Sequence, residues 1–87
     1  MNTFPLTISS PDGDLYRGEA KMLIVRGTEG ELAVMAGHVP FVTGIVKGRC
    51  TLVTAEDERK EGEIGNGLLT VDQKQTTVLT SALEWKK

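Results

Sequence analysis

Glycine and proline punctuate this chain at short, regular intervals, and no other feature limits its possible folds as tightly. Pro11, Gly13, Gly18, Gly27, Gly30, Gly37, Pro40, Gly44, Gly48, Gly62, Gly65 and Gly67 leave few stretches long enough for a helix. Glycine in a helix interior loses backbone entropy, and proline removes a donor and clashes with the preceding turn. Short strands joined by turns accept both residues.

The segments between these breaks alternate. In Phe4-Pro5-Leu6-Thr7-Ile8-Ser9 the even positions are apolar and the odd ones polar apart from Pro5. Strand side chains point to opposite faces in turn, so this pattern makes one buried face and one wet face. Pro5 has no N–H, which suits an edge or an unpaired position. From Leu15 to Arg26, Arg17, Glu19 and Lys21 face one way and Tyr16, Gly18, Ala20 and Met22 the other. Leu23-Ile24-Val25 is apolar on both sides, which predicts a strand entering a doubly covered position. The preceding Pro11-Asp12-Gly13 is a turn, with φ preset by proline and positive φ accepted by glycine. Further strands are predicted at Glu31–Met35, Phe41–Val46, Arg49–Ala55, Lys60–Ile64, Leu68–Val71 and Thr76–Ala82. Asn66-Gly67 and Asp72-Gln73-Lys74 read as connections. Thr54 to Glu61 contains good helix formers but is charged on every side and has no face to bury. Glu56-Asp57-Glu58 therefore reads as an exposed hairpin tip, with a short helical turn as the alternative.

About eight to ten short strands in 87 residues make an all-β domain, a flattened sandwich or barrel, expected as one unit over 1–87. A chain of this size has one core and modest stability. The aromatics are Phe4, Tyr16, Phe41 and Trp85, so that core is mostly aliphatic. A hydrophobic fraction of 39% and a charged fraction of 25% suit a soluble globular chain. The net charge of −2 and the scarcity of aromatics argue against a nucleic-acid partner, which demands clustered cations and stacking rings. No apolar stretch reaches membrane-helix length, and Met1 to Ser10 do not read as a signal peptide.

Recognisable reaction chemistry is missing. His38 is the only histidine and Cys50 the only cysteine, which leaves no metal cluster and no internal disulfide. Cys50 reads as a small buried hydrophobe within a strand. The glycines of Gly27-Thr28-Glu29-Gly30 lie beside acids and lack the Lys-Ser or Lys-Thr pair of a phosphate cradle. No cofactor is expected. Glu29 and Glu31 read either as an acid pair or as two exposed carboxylates in a turn. Residue chemistry alone therefore describes a small β-sandwich that binds or supports something.

The segment Glu29-Gly30-Glu31-Leu32-Ala33-Val34-Met35-Ala36-Gly37-His38-Val39-Pro40-Phe41-Val42 carries more information. It resembles, in spacing as well as composition, a segment of the epsilon subunits of F-type ATP synthases: Glu-Gly-(Glu/Asp)-(Leu/Ile)-Gly-(Val/Ile)-x-x-Gly-His-(Ala/Thr/Ser)-Pro. Phe4 to Pro11, Tyr16-Arg17-Gly18-Glu19-Ala20, Ile45-Val46-Lys47-Gly48, Gly65 to Val71 and Thr77 to Ala82 are similar, in order, to further family landmarks. Ala33 replaces a frequent glycine and Val39 a smaller residue, two departures that bear on the local loop geometry and not on membership. The family usually continues into a two-helix carboxy-terminal hairpin that carries inhibition of hydrolysis and, in some members, a regulatory ATP site. This sequence stops at Trp85-Lys86-Lys87, so neither property is expected of it.

The resemblance implies the family's amino-terminal β-sandwich, a noncatalytic rotor part. It clasps the gamma subunit and sits on the polar, arginine-bearing loops of the membrane ring. By position, Glu31, with Glu29 and His38, is expected at the ring loops, and His38 and Thr43 near the gamma subunit. Gly37 and Pro40 shape the loop that presents them. His38 has a second reading, as a loop-ordering hydrogen bond. The expected location is peripheral, on the cytoplasmic face of a bacterial membrane or its organelle equivalent, with membrane contact only through the complex and a monomer in isolation. Two other readings are a generic sandwich adaptor with an unrelated partner, and a small enzyme using His38 with Glu29 or Glu31; the latter requires a pocket joining those side chains.

Overall fold

The computed structural model describes residues 2–86, which are built of strands and turns without a helix. Nine strands follow in order: β1 (Phe4–Ser10), β2 (Gly13–Gly27), β3 (Gly30–Met35), β4 (Phe41–Ile45), β5 (Gly48–Thr54), β6 (Arg59–Ile64), β7 (Gly67–Val71), β8 (Thr76–Thr80) and β9 (Leu83–Trp85). One layer runs β1-β8-β7-β4, and the other holds β2, β5, β6 and β9, with β3 on β2. The first part of β2 pairs β1, and its last residue meets β4 through Gly27 opposite Ile45, so the two layers join on both sides as a flattened barrel.

Inward positions alternate as the sequence predicts. Phe4, Leu6 and Ile8 of β1 are buried against Leu23 and Val25 of β2, Leu52 of β5, Ile64 of β6, Leu69 of β7 and Val78 of β8. Burying a leucine or valine contributes roughly 1.5–3 kcal/mol, so this aliphatic stack is the main source of stability. Pro5 is exposed, and the ladder to β8 starts only at Leu6, so its missing N–H costs nothing on that side. Cys50 is fully buried, and burial pushes its thiol up to about 11.

Two sequence expectations need correction. Leu23-Ile24-Val25 is not doubly covered. Leu23 and Val25 are buried while Ile24 is only partly so, and a register shift between Ala20 and Met22 has moved the inward phase from even to odd positions. Such a shift lets one long strand turn from one layer to the other. Residues 54–58 are not among them: Glu56-Asp57-Glu58 form the exposed hairpin tip between β5 and β6 that the sequence predicts, closed by Asp57 N–H donating to Thr54 O at 2.9 Å. Thr54 N–H donates to Glu58 O at 2.9 Å and Asp57 takes a φ of 69°, a conformation that Asp tolerates. The predicted final strand Thr76–Ala82 divides. β8 ends at Thr80, whose hydroxyl lies 3.1 Å from both Gly65 O and Ala82 O, and the chain turns there into β9 on β6.

Candidate partner interface

The β2–β3 hairpin sets the first feature. Gly27 is buried under Leu32, whose Cδ2 would lie 2.8 Å from any added Cβ, and Gly30 has a φ of 124°. The close turn pushes Thr28 and Glu29 into solvent and leaves Glu31 exposed opposite Arg26. Glu29, Glu31, Phe41 and Thr43 line a shallow depression of about 340 Å³. Neither glutamate joins any of the ion pairs found among the described residues. The hairpin tip is thus a local excess of negative charge with free acceptor oxygens. Thr43 is part-buried there, its hydroxyl 3.2 Å from Gly44 O.

The loop after β3 sets the second. Gly37 has a φ of 84°, a region that disfavours side chains. His38 N–H donates to Met35 O at 3.2 Å and closes the turn. The imidazole Nδ1 is 2.9 Å from Val39 O, and the ring lies 4.8 Å from the Phe41 ring, centroid to centroid. Gly37, His38 and Pro40 line a different depression, of about 390 Å³, against the Asp72–Gln75 turn. That turn is tied by the Asp72 carboxylate, which accepts from Lys74 N–H at 2.7 Å and Gln75 N–H at 2.8 Å.

The sequence-derived residues therefore fall into two groups. Glu29, Glu31 and Thr43 share one depression, and Gly37, His38 and Pro40 share another. Glu31 lies at the start of β3 and His38 beyond its end, so the two acids and the imidazole do not meet in one cavity. The arrangement required of an enzyme using them is not formed. Phe41, absent from the sequence-derived set, links the groups, because it touches His38 and also lines the acidic depression. As one of few aromatics, directly after Pro40, it carried a signal.

Sequence reasoning also missed an apolar outer face. Across β4, β7 and β8, Gly44 is level with Leu68 and Leu68 with Leu79, while Val42 is level with Thr70 and Thr70 with Thr77. Thr7 and Ser9 of β1 extend these rows. None of the eight positions is charged, and Val42, Leu68 and Leu79 are 63%, 42% and 52% exposed. The face is uncharged, with three exposed aliphatic side chains set among threonines, a serine and a glycine, and such a grouping suits a contact surface better than scattered exposed residues would. The alternation places each of these residues on the wet side of its strand, but only the register shows that they adjoin.

Comparison with known proteins adds the context. Residues 3–86 match the family described as ATP synthase, Delta/Epsilon chain, beta-sandwich domain. The sodium-ion-specific ATP synthase epsilon chain of Acetobacterium woodii is 35% identical over 83 residues, 95% of this chain and 62% of the relative. The ATP synthase epsilon chain of Psychrobacter cryohalolentis is 38% identical over 79 residues, 91% of this chain and 57% of the relative. The chain thus spans about three fifths of the length of the curated relatives it matches. A chain in the Euglena gracilis mitochondrial ATP synthase superposes with a TM-score of 0.88 at 20% identity, over 95% of this chain and 53% of that one. A chain in the Tetrahymena thermophila mitochondrial ATP synthase central stalk and c-ring gives 0.79 at 8% identity, over 95% and 66%. At such identities the likeness is one of fold.

Proposed function

Because the chain belongs to the ATP synthase delta/epsilon-chain β-sandwich family, we propose that it is a noncatalytic central-stalk part of an F-type ATP synthase, a single β-sandwich domain that couples the membrane ring to the gamma subunit. It sits peripherally, on the cytoplasmic face of the membrane or its organelle equivalent, and reaches the membrane only through the complex. It needs no cofactor of its own.

The observation that carries this reading is the pairing of two unlike surfaces on one rigid body. The hairpin tip offers Glu29 and Glu31 without ion-pair partners among the described residues, beside Thr43. The face of Val42, Leu68 and Leu79 offers apolar area without charge. The acidic tip suits cationic ring loops, where rim charges set register and approach more than affinity. The apolar face, entered directly from the His38 loop through β4, suits the larger gamma contact. Placement alone thus favours Thr43 on the ring side and His38 on the gamma side.

The test is a titration of this chain against purified catalytic head complex containing the gamma subunit. Saturable one-to-one binding with a Kd of about 1 μM or below, roughly −8 kcal/mol, is expected. Absence of saturable binding by a chain with a folded β spectrum overturns the proposal.

A further inference from the structure

The only imidazole of the chain is held from two sides, and its environment decides which nitrogen it can offer. His38 Nδ1 is 2.9 Å from the carbonyl oxygen of Val39. A carbonyl can only accept, so Nδ1 must carry the proton of that bond. In the neutral ring the proton is then absent from Nε2, which becomes an acceptor. The Phe41 ring lies against the imidazole at 4.8 Å and a 45° tilt, within the range of favourable aromatic pairs. The loop behind is closed by His38 N–H to Met35 O at 3.2 Å and turned by Gly37 at positive φ. The residue itself is exposed.

We propose that Val39 O and Phe41 hold His38 as the Nδ1–H tautomer, so that it presents Nε2 as a fixed hydrogen-bond acceptor to a donor group on the gamma subunit. This rests on the rotor reading above. It goes further in naming the chemistry of the contact: the partner side chain or backbone group at this point carries an N–H or O–H. Phe41 is a positioning residue, acting through His38. Held rings lose less freedom on binding, so a prepositioned acceptor makes a better contact than a loose one.

Two measurements test it. The first uses the isolated chain and needs no partner. Because His38 is the only histidine, its nitrogen-resolved imidazole spectrum is unambiguous. The Nδ1–H tautomer should dominate in the wild type and give way to Nε2–H in Phe41→Ala. A wild-type ring that is mainly Nε2–H overturns the inference. The second is binding to gamma-containing head complex. His38→Leu should weaken binding roughly fivefold to tenfold, the net worth of one hydrogen bond. His38→Gln, whose amide can again present an acceptor, should recover part of the loss. Phe41→Ala should weaken the wild type but add nothing in the His38→Leu background. An equal Phe41 effect in both backgrounds overturns the positioning role. Absence of wild-type binding with the Nδ1–H tautomer intact overturns the rotor reading and, with it, the partner contact proposed here. Normal binding with an Nε2–H ring overturns this inference alone.

Discussion

Gly67→Ala should be among the most damaging single-methyl changes available to this chain. Gly67 opens β7 and lies between β4 and β8, opposite Ile45 and Thr80. A Cβ there would overlap the Leu79 carbonyl oxygen and stand 2.9 Å from Thr80 Cα and 3.0 Å from Leu79 C. All three atoms are backbone, so no rotamer change relieves the overlap and β8 itself must shift. Overpacking of this kind costs about 1–3 kcal/mol. Displacing the first rungs of the β7–β8 ladder adds on the order of 1 kcal/mol per weakened hydrogen bond. The sum is about 3 kcal/mol, a large share of the stability of a domain this small. At about 4–8 °C per kcal/mol for domains of this length, Tm should fall by roughly 12–24 °C. Gly48→Ala is the matched control. Its Cβ would meet only the Arg26 side chain, at 3.7 and 3.8 Å, and Val46 O at 3.9 Å, all ordinary contacts, and its φ is not positive. Restricting the unfolded chain should then leave it level or raise stability by about 0.4–1 kcal/mol. Thermal and urea unfolding followed by circular dichroism measure both variants, with an unchanged m-value required for comparison. A Gly67→Ala midpoint within about 3 °C of wild type, or a Gly48→Ala midpoint that falls as far, would refute the close-approach reasoning.

Glu31→Lys should leave the unfolding midpoint within about 0.5 kcal/mol of wild type, since Glu31 is exposed and outside the ion pairs. In reconstituted complexes the same variant should weaken association with the ring, and unchanged assembly removes Glu31 from the interface. Asp57→Asn keeps a residue tolerant of the positive φ and an acceptor oxygen but removes the negative charge that faces Lys21, whose side chain is only 15% exposed and sits 2.5 Å from the carboxylate. A loss of about 1 kcal/mol is expected, partly recovered when Lys21→Met is added; additive losses in urea melts would disprove the coupling. Cys50 has a folded pKa raised from near 9 to about 11 by burial, so the folded chain keeps its thiol proton where the unfolded chain has lost it. That contribution is fully present below pH 9 and fades towards pH 11, amounting to about 2–3 kcal/mol. Urea midpoints across this range should fall less steeply in Cys50→Ala, and parallel profiles would exclude the thiol as the cause.

Local patterns sufficed wherever structure depended on near neighbours. Phe4, Leu6 and Ile8 alternate without interruption, and all three are buried as that alternation requires. Pro11-Asp12-Gly13 and Asp72-Gln73-Lys74 carry their own turn chemistry, and Gly13 takes the positive φ expected of it. What escaped depends on distant chain. The phase change in β2 becomes visible only when β5 is laid beside it, because a shifted register leaves no mark in a run of Leu, Ile and Val. β9 forms because Gly62 lacks a Cβ where the Glu84 carbonyl must pass, an approach between residues far apart in sequence. At the candidate interface, the motif around Glu31 and His38 could be read by resemblance. The uncharged outer face could not, since Val42, Leu68 and Leu79 come from three strands, and only the register puts Leu68 beside Leu79 and Val42 on the adjoining rung.

The topology suits the coupling role proposed above. β1, β8, β7, β4 and β2 form a closed circuit of hydrogen-bonded neighbours, leaving β3 and β9 as strands paired on one side only. β5, β6 and β9 join the ladders of this circuit only through β2, and the densely packed interior between the layers passes strain on instead of absorbing it. The acidic tip is borne by the end of β2, the longest strand, which pairs with β1, β3, β4 and β5. The apolar face is borne by β4, β7 and β8, and β4 meets β2 where Gly27 lies opposite Ile45 and Val46 N–H donates to Arg26 O at 2.9 Å. A load taken at the tip therefore reaches the face through backbone hydrogen bonds next to the hairpin itself, with no side-chain hinge between them. Under the rotor reading this short path is what joins the two surfaces within the β-sandwich.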